Sequence, residues 1–514
     1  MRKNHYLSAV TALFIIGTSA FAAEKTEKVE TVKLAGDSLS VSADADSELS
    51  ANAETIAEAF SKGKVKGLLR YGAQHRDSSY FTIEDSELFV PRGKVQVYSA
   101  LGGYLGYETA PLFNFSAGAT FYTSNPFLGN NSQERAGLGG LAEPEDHDQD
   151  SYNVLGEVFL KYQNAEHLVK VGRQEMPNYR FVSLSNIRMT PFTHEGAIYE
   201  NTSIEDLKVN LAYITQMKDR NAEDFNGMVR SARVKVGRVT DANGDTIKTN
   251  IRGKYNPLDY IGDGEYTGSS KSMSMLSALY GQDNWKVEAW DYYVSDFVNT
   301  VYLYAQYDIE ATDFWKMTLA GQYANQQDIG DSVAGHIDTW FYGLKAQAST
   351  TNGMVFFAAY NEVSYNEDSY DSGTLFVRWG TPQMFNSFQV QDSELAGTKS
   401  VGIGAQFDLG ALDILDSTVI RFRYADYDMP DNLLMIDATA DRTEATFDLR
   451  YSFSKDQGFG IFTQMDGLSI QLRIAYDDFR TDYDFDAYKA IHGYELSTVN
   501  DNFVDARIYI DYVF

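Results

Sequence analysis

The sequence predicts an all-β protein, a transmembrane antiparallel β-barrel of about eighteen strands. Three observations carry that reading. The first is the end of the chain, Asp501 to Phe514, DNFVDARIYIDYVF. Val504, Ala506, Ile508, Ile510, Tyr512 and Phe514 share one parity; Asp505, Arg507, Tyr509 and Asp511 share the other. A strand sends alternate side chains to opposite faces. One face is therefore apolar and ends in aromatics, and the other is charged, as a strand between lipid and a wet lumen requires. The second observation is the start. Met1 to Ala22 joins Arg2 and Lys3 to an apolar run, Ala12 to Ile16, and to Ala20-Phe21-Ala22. That is a secretory signal peptide with an A-x-A cleavage site. Its apolar run is too short for a membrane anchor. The third is composition. Tyr 35, Phe 31 and Gly 40 against Pro 9 suit a large β protein. No stretch of about 18 apolar residues follows the leader, which excludes a helical membrane protein. A barrel survives that test because its apolar residues fall on alternate positions.

Charge and cysteine exclude further classes. The formal net charge of −29 argues against nucleic acid as a partner. Cysteine is absent, so disulfides and thiolate metal sites are ruled out. No cofactor is expected.

Taken in order, residues 23–62 follow the leader. Ala23 to about Ser50 is rich in Glu, Lys, Thr, Ser, Asp and Ala without an apolar period, and reads as a flexible periplasmic extension. Ala53 to Phe60 fits a short helix with Ile56, Ala59 and Phe60 on one side. The barrel domain then occupies residues 63–514. Strands are expected near 64–74, 93–108, 112–123, 151–163, 166–175, 194–201 and 207–217. They resume near 272–282, 284–295, 298–309, 315–326, 338–348 and 353–364, and end with 399–409, 417–427, 443–453, 468–478 and 502–514. The connections test the count. If the chain enters from the periplasm, every second connection must be short. Those at 108–112, 163–166, 201–207, 282–284, 309–315, 348–353 and 409–417 are, with 453–468 of middling length. The long segments 123–151, 217–272 and 364–399 all have the other parity. A soluble β-sandwich array or β-helix gives no reason for that alternation.

The inward face holds the chemistry. Arg421, Arg423, Arg450, Arg473 and Arg507 point inward on successive strands near the C-terminus. Closure brings the first strand beside the last, adding Arg70, Lys66 and Lys64. Neighbouring strands lie about 4.8 Å apart, so these side chains form one basic wall. Arginine stays charged and holds carboxylates through a planar fork. A series of such sites passes an anion along without a deep trap. The same arginines can instead pair with Glu444, Asp448, Asp477 and Asp505 as lumenal structure; both readings can hold for different residues. Other strands are mostly neutral inside, while Glu108 and Glu157 add carboxylates. A basic wall facing an acidic or polar side would orient a dipolar solute.

One segment carries a resemblance. Arg188-Met-Thr-Pro191-Phe-Thr193-His-Glu-Gly196, followed by Asn201-Thr-Ser-Ile204-Glu-Asp-Leu207 and preceded by Val171-Gly172-Arg173-Gln174, resembles the OprD-type outer-membrane porin family. The resemblance implies an eighteen-stranded, substrate-selective channel in the cell outer membrane, a monomer or loose trimer. It implies a third loop folded inward as a constriction, here Gln174 to Glu195 with Arg180, Arg188 and Thr193, and an arginine ladder for carboxylate-bearing solutes such as amino acids, small organic acids and peptides. Phe514 with Tyr512 and Ile510 resembles the terminal signature of bacterial outer-membrane proteins, which the assembly machinery reads. The partners expected are thus small solutes, outer-membrane lipid and that machinery.

Remaining candidates are weaker. Asp146, Asp148 and Asp150 alternate in an acidic loop that could offer oxygens to Ca²⁺, but the EF-hand glycine and closing glutamate are missing. The histidines are scattered, without HExxH or a similar metal motif. A hydrolase would need a nucleophile beside a positioned histidine. His167 and His194 flank the third loop without one, so no enzyme is expected. A general diffusion pore, or a non-conducting structural or adhesive barrel, is the alternative to a selective channel.

Overall fold

A computed structural model describes residues 52–84, 88–128, 151–183, 185, 188–220, 222–232, 237–240, 246–249, 270–366, 368–381, 383–390, 393–430, 441–453, 466–480 and 498–514. The leader, the start of the extension and the acidic loop 143–150 lie outside these residues.

Alternating polarity becomes strand along the whole described chain. The strands are β1 (Lys64–Glu84), β2 (Leu88–Glu108), β3 (Phe115–Pro126), β4 (Tyr152–Gln163), β5 (His167–Gln174), β6 (Thr193–Ile204) and β7 (Leu207–Lys218). Then come β8 (Gly237–Thr240), β9 (Thr246–Thr249), β10 (Met273–Gln282), β11 (Trp285–Val294), β12 (Val298–Glu310), β13 (Trp315–Asp328), β14 (Asp338–Thr350) and β15 (Met354–Val363). The last are β16 (Lys399–Asp408), β17 (Thr418–Asp428), β18 (Asp441–Ser452), β19 (Leu468–Arg480) and β20 (Thr498–Val513). β8 and β9 pair only with each other; the remaining eighteen form one antiparallel sheet. Pairing of β1 with β20, Leu68 opposite Val513 through Thr82 opposite Thr498, closes it. Closure leaves no exposed edge, the condition for crossing lipid with strands.

β1 and β2 run well past the expected 74 and start well before 93, as a long hairpin on the extracellular side. The sequence of their upper parts mixes polar and apolar residues without a clean alternation. No lipid selects for alternation there, so the sequence pattern fades before the strand does. β20 begins earlier than 502 for the same reason.

A short helix, α1 (Ile56–Ser61), precedes β1. Thr55 caps it, accepting from the Glu58 backbone N–H at 3.2 Å. Ala53 and Ala59 pack with Ala110 and Leu112 at the β2–β3 turn. The turns on this side are tight. Asp206 turns β6 into β7 at φ 61°, and Gly353 leads into β15 at φ 83°, a conformation that favours glycine.

Two long segments on the other side do not stay outside. The described residues of 175–192, between β5 and β6, and of 364–398, between β15 and β16, fold into the lumen. Val182, Trp379, Phe376, Met384 and Phe385 are buried against inward-facing Trp290, Tyr292, Phe297, Tyr302 and Phe341. The inward fold of the first was expected from the resemblance. The second reads in the sequence as an external loop, and its entry into the lumen is a difference from that reading. Apolar packing thus fills the lumen toward β10–β15, and charged side chains line it on β17–β20 and β1.

Candidate functional site

Strand register builds the charged wall. Gln406, Arg421, Asp448, Arg473, Arg507 and Gln74 lie directly opposite one another across six successive strands. Cross-strand neighbours of this kind sit about 5 Å apart. Arg423 is two positions from Arg421 on the same face of β17, and Arg70 lies opposite Asp511. The inward arginines of the sequence therefore do meet.

They meet with acceptors interleaved. The Arg473 Nε donates to Asp448 Oδ2 at 3.0 Å, and both side chains are buried. Arg70 grips Asp511 with two parallel bonds of 2.7 and 2.6 Å. Asp505 accepts from Arg507 Nε at 2.6 Å and from Arg76 Nη2 at 2.6 Å. Arg421 donates from Nε and Nη2 to Gln406 Oε1 at 3.1 and 3.0 Å. Arg423 donates to Thr446 at 3.2 Å and lies 4.5 Å above the Phe388 ring. Lys66 pairs with Glu157 at 2.7 Å. Lys64 is exposed at the first residue of β1, and Arg450 is half-buried. Much of the wall is thus arginine paired with carboxylate, rather than arginine open to water.

The loop 175–192 reaches across. Arg180, at φ 60°, donates from Nε and Nη2 to the two Glu288 oxygens at 2.7 and 2.5 Å and sits 4.1 Å over the Tyr304 ring. Tyr292 donates to the Tyr179 carbonyl at 2.6 Å. At the other end of the loop the Arg188 carbonyl accepts from Arg70 Nη1 at 2.6 Å. The loop therefore bridges β11–β12 and β1. Thr193 and Gln174 are buried at its two roots. Glu195 is not part of the constriction. It sits across the strand from inward-facing His194 and pairs with Arg173 at 3.0 Å, because strand alternation turns it away.

The second inserted segment completes the constriction. The Ser183 Oγ donates to the Thr381 carbonyl at 2.7 Å, tying the two segments together. Trp379 donates from Nε1 to the Met228 carbonyl at 2.9 Å, and its own carbonyl is 3.0 Å from His194 Nε2. Gln389 reaches the charged wall. Its backbone N–H and that of Val390 donate to Glu444 at 2.8 and 3.0 Å, and its Nε2 donates to Asp505 Oδ1 at 3.1 Å. Sequence reasoning missed these residues. The signal was present in Thr374-Leu-Phe-Val-Arg-Trp379 and Met384-Phe-Asn-Ser-Phe388, apolar runs out of place in a solvated loop.

Two guanidinium atoms stand apart. Arg188 Nη1 and Arg507 Nη1 are buried and have no hydrogen-bond acceptor among the described residues. Burial, reinforced by Arg507 and Arg220 beside it, pushes the Arg188 guanidinium down to about 10. Arginine keeps its proton in proteins, so that stress is an unmet demand for negative charge. Asp146, Asp148 and Asp150 lie outside the described residues, within which no group of three acidic or histidine side chains is arranged to hold a metal.

A closed eighteen-strand barrel with a lumen narrowed by inserted loops defines an outer-membrane pore. The sequence matches the outer membrane porin, OprD family, over residues 128–498, and the chain belongs to that family. No curated protein matches it as a sequence relative. Among solved structures it is similar to Pseudomonas aeruginosa OccK9 (OpdG), at 17% identity over 89% of this chain and 99% of that one, with a TM-score of 0.65. It is similar to Acinetobacter baumannii OccAB3, at 15% identity over 88% and 99%, TM-score 0.64. Pseudomonas aeruginosa OpdK with vanillate matches at 15% identity over 88% and 98%, TM-score 0.60. These identities speak for the shared fold.

Proposed function

We propose that this porin passes small carboxylate-bearing solutes selectively, and that its arginine wall, narrowed by the two inserted segments, supplies the selectivity. The observation that carries this reading is the pair of buried, acceptor-free nitrogens on Arg188 and Arg507. A carboxylate brought to either nitrogen could accept from it, and charge-assisted bonds of this type are about twice as strong as neutral ones. The interleaved Asp448, Asp505 and Asp511 keep the rest of the wall from becoming one deep anion trap, which conduction forbids. OpdK, one of the similar structures, is a complex with vanillate. The chain acts in this reading as a passive channel, with amino acids, small organic acids and peptides as the solutes to try.

The test is Arg188→Gln in planar bilayers. The variant removes an unpaired charge, so the fold should be unharmed. A hydrogen bond to a charged group contributes about 1.5–3 kcal/mol, so carboxylate affinity should fall by about tenfold or more. Reversal potentials should move toward cations, and uptake of uncharged solutes should hold. Unchanged carboxylate uptake and selectivity would make the barrel a general diffusion pore.

A further inference from the structure

Near the extracellular mouth, buried acceptor oxygens gather without donors. Asp477 stands on the inward face of β19, three residues before the end of that strand at Arg480. It is 0% exposed, and neither carboxylate oxygen has a hydrogen-bond partner among the described residues. Directly opposite it on β18 stands Glu444, also 0% exposed. Like charges directly opposite on antiparallel strands are destabilising, and burial of an unpaired charge raises that cost. A third oxygen in the same state is Oε1 of Gln389, a buried side chain whose carbonyl accepts from none of the described residues.

Hydrogen bonds and register bring these groups together. The Gln389 backbone N–H donates to Glu444 Oε1 on β18 at 2.8 Å, and its Nε2 donates to Asp505 Oδ1 on β20 at 3.1 Å. β19 lies between those strands. Gln389 therefore spans it at Ala475, which is opposite Asp505, and Asp477, which is opposite Glu444. Ala475, and Ala425 opposite Glu444 on β17, carry only methyl groups and leave room beside the acids. The neighbouring positive charges are held elsewhere. Arg76 and Arg507 both pair with Asp505 at 2.6 Å. Arg442 lies 4.9 Å from the Phe479 ring, and no ion pair joins it to Asp477.

A proton shared between Asp477 and Glu444 would meet only part of this demand. One Asp477 oxygen and Gln389 Oε1 would still lack a donor. The backbone N–H groups of Gln389 and Val390 on Glu444 also favour its charged form. A cation can meet all three oxygens at once. The donor set is two carboxylates and an amide carbonyl, all hard oxygens. Ca²⁺ takes about six to eight such ligands, bidentate carboxylates and side-chain carbonyls among them, and completes its shell with water; Mg²⁺ holds to an octahedron and keeps several of its waters. We infer that Asp477, Glu444 and Gln389 form a Ca²⁺ site at the extracellular mouth, with Asp477 as the bidentate ligand. The two carboxylates match the charge of the ion. Through Gln389 the ion fastens the segment 364–398 to β18 and β19, so it acts on the constriction and not on the solute.

The experiment uses the full-length protein in mild detergent, stripped with EGTA and checked for folding by heat-modifiable gel mobility. Bound Ca²⁺ is counted by equilibrium dialysis. Asp477→Asn should bind one ion fewer than wild type. Asp478→Asn, the same change of charge on the other face of β19, should bind as many as wild type. A second arm needs no variant, so it holds even where Asp477→Asn fails to fold. Ca²⁺ at about 1 mM, in the range of weak extracellular sites, should raise the urea midpoint of the wild-type protein above its value in EGTA, because an ion bound only by the folded state stabilises it. Mg²⁺ at the same concentration should raise it less. Equal Ca²⁺ counts for wild type and Asp477→Asn, or a wild-type midpoint indifferent to Ca²⁺, would overturn the site. Equal shifts with the two ions would overturn the bidentate geometry. Solute uptake is not the readout, so the result stands apart from that of the carboxylate proposal.

Discussion

Replacing Arg180 by Met should loosen the constriction, and the size of the effect follows from its contacts. Arg180 holds the loop 175–192 across the lumen by a two-bond fork to Glu288, with side-chain exposures of 14% and 6%. Removing one partner of a buried ion pair costs about 3–5 kcal/mol, much of it from the stranded charge. Glu288 would not be wholly stranded. Trp290 Nε1 still donates to it at 3.1 Å, and Lys286 Nζ lies 3.9 Å away. The lower end, about 3 kcal/mol, is therefore expected, with about 1 kcal/mol of it from lost stacking on Tyr304. Each 1.4 kcal/mol is a factor of ten, so the undocked population of the loop should rise about a hundredfold. Single-channel recording should show frequent excursions to a larger conductance. Arg180→Met with Glu288→Met restores an uncharged contact and should bring most of the quiet baseline back, with a coupling of about 2 kcal/mol in the cycle. Wild-type noise and conductance in Arg180→Met would mean that the aromatic packing of Tyr179 and Phe181 holds the loop without the latch, and the reasoning from the ion pair would fail.

Three other outcomes are open to measurement. Gly380→Ala places a methyl group 2.9 Å from the Phe181 and Ser183 carbonyl oxygens, so it should separate the inserted segments at about 1–3 kcal/mol and raise conductance; unchanged conductance and urea stability would refute the contact. Arg473→Gln removes the charged donor to Asp448 while Gln471 still donates to it, and should lower the urea midpoint, whereas Arg473→Gln with Asp448→Asn should recover it; equal midpoints for the two would show that the pair is not coupled. Burial beside Glu157 pushes the Glu175 carboxyl up. The folded state therefore binds that proton more tightly than the unfolded chain, and this contribution to stability is lost as pH rises from the ordinary carboxylate range through the raised value. Glu175→Gln should remove that loss, seen as a flatter dependence of the urea midpoint on pH; a slope identical to wild type would count against it.

The strands were legible in the sequence because lipid on one side and water on the other impose period two, and because short and long connections alternate. That logic ends where lipid ends. Above the membrane, residues 75–84 lack a clean two-sided pattern, so the strand was read short although its ladder continues to Glu84. The faces of the arginines were legible for the same reason, while their partners needed register. Asp505 and Arg507 are two apart on one strand, and their contact could have been read directly. Asp448 against Arg473 depends on how β18 and β19 align across a turn of middling length. The inserted segment 364–398 has no sequence period, since its described side chains pack in the lumen without strand alternation. Its local trace is the excess of apolar residues in two short runs, Leu375–Trp379 and Met384–Phe388.

That excess explains how a polar lumen can be narrowed without being blocked. A loop crossing a water-filled barrel would lose backbone hydrogen bonds and chain entropy with little in return. Here one side of the lumen, β10 to β15, offers a surface of inward tyrosine and tryptophan, and the two segments bury their apolar residues on it. The hydrophobic contact anchors the constriction off-centre, so the charged side is left to face the path. Gln389 and Arg188 are the points at which the segments touch that charged side, through Asp505 and Glu444 for one and Arg70 for the other. Pairing does not silence the wall. Each guanidinium has five N–H donors, so a bond or two to aspartate uses only part of what it offers. What pairing does is set the net field. Asp448 and Asp511 offset Arg473 and Arg70, and Asp505 is shared by Arg76 and Arg507. Arg188 has a buried Nη1 with no acceptor among the described residues, so on the carboxylate reading proposed above it is the point of the wall where an anion would be most favoured.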